Sequence, residues 1–128
     1  MYFRILHDEQ TGELSYLLAD LDTKEAVLID PRGRDLPLIH ALLAEQQLRL
    51  RWALRTHNHD DLQPQEKQAL ATLDAQRIQG HPAPDCLRPE HGAIFPFGDE
   101  VMHAWHTPGH TAHCMSFSWR DRYFCGGL

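Results

Sequence analysis

Two short stretches hold the residue types from which a metal centre is built. The first, RTHNHDDLQ (Arg55 to Gln63), sets His57 and His59 one residue apart and follows them with Asp60 and Asp61. On a helix that spacing would turn the imidazoles away from each other, whereas in a loop leaving a strand both can face one ion. Either aspartate can ligate, or can orient a histidine by accepting its second ring N–H. The second stretch, HTPGHT (His106 to Thr111), puts His110 just after a Pro-Gly pair whose turn can swing the imidazole back over a strand end. Each stretch alone also fits solvated surface histidines. Together, in a chain with 10 histidines of which four fall between His103 and His113, they point to metal ligation.

The elements that must hold these stretches can be read around them. YFRIL, LSYLLAD and EAVLIDP read as strands of an N-terminal antiparallel meander, with DLDTK as the turn between the last two. From about Asp35 to Leu48 the pattern becomes helical, with Ile39, Leu42 and Leu43 on one face and Pro37 in the first turn. RWALRT is a short buried strand, so the first histidine stretch lies in the loop beyond its carboxyl end. Pro64 opens a second predicted helix reaching about Ala75, and RIQG is a further short strand. Residues 80–92 are loop by composition, and AIFPFGDE, EVMHAWHTPG, CMSFSW and RYFCGG form a hairpin-rich second half. Strands, helix, strand, helix, strands make an α/β (α+β) arrangement with at least one crossover.

Bulk properties narrow the function. At 128 residues the chain is one domain with a real core. A net charge of -6, from 18 acidic and 12 basic residues, argues against a nucleic-acid or anionic-membrane partner, and no basic stripe reverses that. No apolar run approaches a membrane span, and the N-terminus lacks the pattern of a secretory signal. Cys86, Cys114 and Cys125 form no CxxC pair and leave one cysteine over under any pairing, which implies a reducing, cytoplasmic setting.

THNHDD followed some fifty residues later by TPGHT resembles the metallo-β-lactamase fold superfamily, whose signature is T-H-x-H-x-D-H and then P-G-H-T. FRILHDEQTGELSYLLADLDTKEAVLIDP and FGDEVMHAWHTPGHTAHCMSFSW look like its glyoxalase II and persulfide dioxygenase branch, and YFCGGL occupies the place of that branch's F-T-G-D segment. The resemblance covers nearly all of the chain and implies the first half of an αββα sandwich, so residues 1–128 form a single domain truncated relative to the family. It also implies that His57, His59 and His110 are metal ligands. Asp61 matches the motif aspartate and is the candidate catalytic residue.

Two positions depart from the pattern. Leu62 stands where the family has a histidine, which removes a ligand of the second metal, and Gly127 stands where it has the carboxylate that bridges two metals or completes a mononuclear iron site. One divalent metal is therefore expected. It is Fe(II) if His57 and His110 survive from a two-histidine, one-carboxylate triad, or Zn(II) if His57, His59 and His110 form a three-histidine site with an open fourth position. Cys114 and Cys125 are softer candidates nearby.

Three functions follow as expectations. The first is oxidation of a glutathione-type persulfide by non-haem iron. The second is zinc-dependent hydrolysis of a thioester or ester of the glyoxalase II type. The third is a non-catalytic binding or assembly module that retains the fold. An active protein would take a small thiol or thioester, and two copies are expected to pair so as to cover the surfaces that the missing half would bury.

Overall fold

In the computed structural model, residues 2–7, 14–32, 35–56, 73–80, 86–107 and 114–125 are described. β1 (Tyr2–His7), β2 (Leu14–Asp20) and β3 (Glu25–Ile29) form the antiparallel meander read from the sequence. The helix α1 (Leu36–Gln46) then crosses over to β4 (Arg49–Leu54), which pairs parallel to β3. β5 (Gln76–Ile78) and β6 (Cys86–Leu87) extend that parallel run, giving a six-stranded mixed sheet in the order β1-β2-β3-β4-β5-β6. β7 (Ile94–Phe97), β8 (Glu100–His106), β9 (Met115–Trp119) and β10 (Arg122–Cys125) make a second, wholly antiparallel sheet.

The core follows from strand alternation. In β2 and β3 successive residues point to opposite faces, yet Leu17, Leu18, Ala26, Val27, Leu28 and Ile29 are all fully buried. One face, with Leu17, Ala19, Ala26 and Leu28, packs on Leu36, Ile39 and Leu42 of α1. The other, with Leu18, Val27, Ile29 and Leu54, packs on Phe95, Phe97, Met102, Phe117 and Phe124 of the second sheet. The layers are helix, sheet and sheet, as expected for part of an αββα sandwich.

Some boundaries differ from those read in the sequence. The helix stops at Gln46 because Gln47 turns left-handed (φ 55°), its N–H reaching Ala44 O at 3.2 Å while that of Leu48 reaches Leu43 O at 2.8 Å. Leu36 is buried on its inner face and Leu43 only partly so. Most of the predicted helix from Pro64 lies outside the described residues; at its far end, residues 73–75 form a bend with Leu73 buried. The span read as loop contains β6, because Gln79 N–H donates to Leu87 O at 3.1 Å and draws Cys86 and Leu87 onto β5.

At one end the tip of the β7–β8 hairpin is clamped to the first sheet. Gly98 has φ 63°, the sign that a II′ hairpin loop needs at its first central residue. Its N–H donates to Glu25 Oε1 at 2.5 Å, and the next N–H, of Asp99, donates to Asp20 Oδ2 at 2.9 Å. Arg51 Nη1 also donates to Glu25, at 2.9 Å. These bonds hold the carboxyls of Asp20 and Glu25 below the ordinary carboxylate range, led by the Asp99 N–H and the Gly98 N–H respectively.

Gly98→Ala is expected to destabilise the fold by about 1–3 kcal/mol, since its Cβ would collide with Thr23 and Asp20 at a φ that alanine resists; urea unfolding measures this. The depressed carboxyls contribute stability that is fully present above the ordinary carboxylate pKa and is lost as pH falls through the lower folded values. The urea midpoint should therefore drop between about pH 5 and pH 2, with a shallower slope in Glu25→Gln.

Candidate metal centre

β3 ends in Asp30, and every polar group of that residue is engaged. Its N–H donates to Leu54 O at 2.7 Å, and its carbonyl accepts Ser15 Oγ at 2.6 Å. Its carboxylate accepts the Thr56 N–H on Oδ1 at 2.8 Å and the Thr56 hydroxyl on Oδ2 at 2.6 Å. Asp30 and Thr56 are both buried. Asp30 also takes a left-handed backbone, with φ 53°. That conformation costs about 1–3 kcal/mol for a non-glycine residue. Two hydrogen bonds to a charged acceptor, each contributing about 1.5–3 kcal/mol, outweigh it.

Thr56 is the residue before His57, so Asp30 fixes the point from which the first histidine stretch leaves the sheet. The same Thr56 offers its carbonyl to the Met115 N–H at 2.6 Å, which joins the end of β4 to the start of β9 across the two sheets. β9 pairs with β8 through His106↔Met115, and with β10 through Cys125↔Ser116. Thr107 N–H donates to Cys114 O at 3.1 Å, and the hydroxyls of Thr107 and Ser116 lie 2.7 Å apart, closing the span that contains His110 at its two ends. The segments that carry His57, His59 and Asp61, His110, and Gly127 therefore all join the sandwich at one rim.

His57, His59, Asp60, Asp61, Leu62, His110 and Gly127 themselves lie outside the described residues. Among the described residues no group of three histidine, cysteine or acidic side chains converges as a metal site. What the described framework provides is the nearness of the points from which both histidine stretches leave it, Thr56 and the Thr107–Cys114 pair, and the donor types in those stretches suit a divalent ion. Cys114 is buried at this rim, and neither it nor Cys86 is disulfide-bonded.

Other histidines, His91, His103 and His106, have structural work. His91 Nδ1 accepts the His106 backbone N–H at 3.0 Å and so carries no proton there. His106 Nε2 lies 2.8 Å from Pro89 O; a carbonyl only accepts, so this nitrogen donates. His103 stacks on Trp105 at an interplanar angle of 13°. Residue-type reasoning passed over Asp30, Ser15 and Thr56. The available signal was an apolar strand ending in Asp-Pro, and a threonine directly before the paired histidines.

Asp30→Asn turns one acceptor into a donor facing Thr56. A stability loss of about 1–3 kcal/mol is expected in urea unfolding, larger than that of Thr56→Val. Metal titration of Asp30→Asn should show an affinity lower by about 10-fold or more, as for other residues that orient ligands from behind.

No family model matches the chain. The chain is 34% identical over 117 residues to the mitochondrial persulfide dioxygenase ETHE1 of Homo sapiens, an alignment that takes in 84% of this chain and 43% of that protein. It is 31% identical over 109 residues to the hydroxyacylglutathione hydrolase of Tolumonas auensis, covering 80% of this chain and 42% of that one. The chain thus spans a little under half the length of these relatives. Among solved structures, ETHE1 from Myxococcus xanthus superposes with a TM-score of 0.83 at 29% identity, over 96% of this chain and 56% of the other. A metallo-β-lactamase from Staphylococcus aureus superposes with a TM-score of 0.79 at 27% identity, over 94% and 39%. Over the part of its relatives that it spans, the chain has the metallo-β-lactamase fold, and its similarity falls in the persulfide dioxygenase and glyoxalase II-like branch of that superfamily.

Proposed function

We propose that the chain binds one divalent metal, through His57 and His110 if it is iron and with His59 as a third ligand if it is zinc, and acts on a glutathione-type persulfide, in the manner its similarity to persulfide dioxygenases suggests. The observation that carries this reading is the Met115 N–H bond to Thr56 O, because it draws the supports of both histidine stretches to one rim. The 34% identity to a persulfide dioxygenase supports the choice of substrate class. Bound there, ferrous iron would supply a centre able to take a thiol sulfur and dioxygen at its open positions.

The chain's own residues would do the positioning. Asp30 and Thr56 hold the root of the His57 segment, and Thr107 and Ser116 hold the ends of the His110 segment. Met115 and Phe117 lie buried behind the rim and keep bulk water from that side. Asp61 would orient a histidine or accept a proton. Leu62 offers no donor atom, which favours a single metal over a pair.

A second reading rests on the similarity to hydroxyacylglutathione hydrolase. Zinc on the three histidines would serve thioester hydrolysis, with the same residues in the same positions. Pairing of two copies through the outer face of the four-stranded sheet, where Ile94, Val101 and Tyr123 are exposed, belongs to the same proposal; a strictly monomeric solution mass overturns it.

Protein purified without chelators should carry near one equivalent of metal, lost in His110→Ala. Iron with oxygen uptake on glutathione persulfide supports the first reading, and zinc with thioester cleavage the second. A protein that neither retains nor takes up either metal overturns both and leaves a binding or assembly role.

A further inference from the structure

The β7–β8 ladder does not end evenly. Past the Ile94↔His103 pair, the Ala104 N–H donates to Ala93 O at 2.8 Å and the Gly92 N–H donates to Ala104 O at 2.7 Å. Two residues thus oppose one, with Gly92 left-handed at φ 86°, as in a bulge that opens on glycine. The bulge turns residues 89–91 off the line of the strand. Along β8 the N–H groups alternate in direction. Thr107 donates towards β9, to Cys114 O, so the His106 N–H points back towards residues 89–92. It is received there by a side chain rather than a carbonyl, His91 Nδ1 at 3.0 Å. An imidazole has taken the place of the next rung.

A second bond runs beside it, from His106 Nε2 to Pro89 O at 2.8 Å. The His91 ring sets against Trp105 and His106, with centroids 5.3 Å and 5.8 Å away. The two bonds respond differently to a proton. His106 Nε2 donates whether its ring is neutral or charged. His91 Nδ1 accepts only while its ring is neutral; a proton there makes it a donor and sets two N–H groups face to face. His91 is exposed, so protons reach it. The ionisable side chains around it are Arg88 and Glu90 in its own segment, and His106 and His103 on β8, His103 across Trp105.

We propose that His91 is a proton-sensitive latch on the end of β8. Neutral, it holds the last N–H of the strand. Protonated, it lets go, and the Thr107 bonds that close the span containing His110 loosen with it. The latch belongs to the fold itself; its bearing on a metal rests on the reading of His110 as a ligand.

The test is amide hydrogen exchange by NMR on the metal-free full chain between about pH 8 and pH 5, the window in which imidazoles change charge. Protection, taken relative to the unfolded chain, should fall roughly 3- to 10-fold at His106 and Thr107 as the His91 ring resonance titrates. Ala104, bonded to Ala93 O, should keep its protection. His91→Asn sets an amide oxygen near the place of Nδ1 and cannot charge, so protection should stay high throughout. His91→Phe keeps a ring against Trp105 without an acceptor, so protection should be low throughout. Protection at His106 that ignores the titration of His91, or that is as high in His91→Phe as in the parent at the alkaline end, overturns the latch. Loss at His106 that does not extend to Thr107 overturns its hold on the His110 span. Zinc titration of the same proteins at the alkaline end reads the consequence: His91→Phe should bind several-fold more weakly than the parent, and His91→Asn should not. Equal affinity in parent and His91→Phe overturns the bearing on the metal. A parent that takes up no zinc counts against His110 as a ligand and leaves the amide result to decide the latch.

Discussion

The Asp30 carboxylate, gripping both the amide and the hydroxyl of Thr56, is the interaction on which the rest of the site depends. It is a buried charge at the end of an apolar strand, a placement that is costly unless every lone pair finds a donor. Here the donors come from Thr56, while Leu54 and Ser15 take up the backbone of the same residue. The polar accounting and the left-handed turn are thus solved together. Because Thr56 then passes its carbonyl to Met115, one acidic side chain indirectly sets the spacing between two sheets at that rim.

The opposite end of the sandwich uses the same chemistry for a different purpose. Asp20 and Glu25 accept backbone N–H groups from the tip of the β7–β8 hairpin, and Glu100 accepts from Trp119 and Arg120 nearby. Between the two ends the contact is apolar, with Phe97 and Phe117 at its centre. Apolar packing supplies most of the cohesion but little direction. The carboxylates at either end supply direction, holding the tip of the β7–β8 hairpin at one end and Thr56 at the other. The divided labour explains how a chain this short keeps two sheets aligned.

The fold was legible where periodicity was strong. The meander, the crossover helix with Ile39 and Leu42 inward, and the four C-terminal strands were readable because alternation and turn residues agreed there. Cys86 and Leu87 were not, since a two-residue strand has no period to detect and exists only through its pairing with β5. Around the site, the histidines announced themselves by residue type and spacing. Asp30 did not, because its importance lies in a contact with a residue 26 positions later.

β2 and β3 raise a separate issue, because both are buried on both faces at consecutive positions. In a half-exposed strand, slipping by one residue exchanges core for solvent and is strongly penalised. In LLA against AVLI the slipped side chains are also apolar and meet apolar surroundings, so hydrophobicity gives weak protection against misalignment. The protection comes from the polar residues at the strand ends. A shift of one position would carry Asp30 away from Thr56 and Glu25 away from Gly98 together, stranding acceptors at both ends of one strand. The acids that position the site are therefore also the marks by which the central strands find their register.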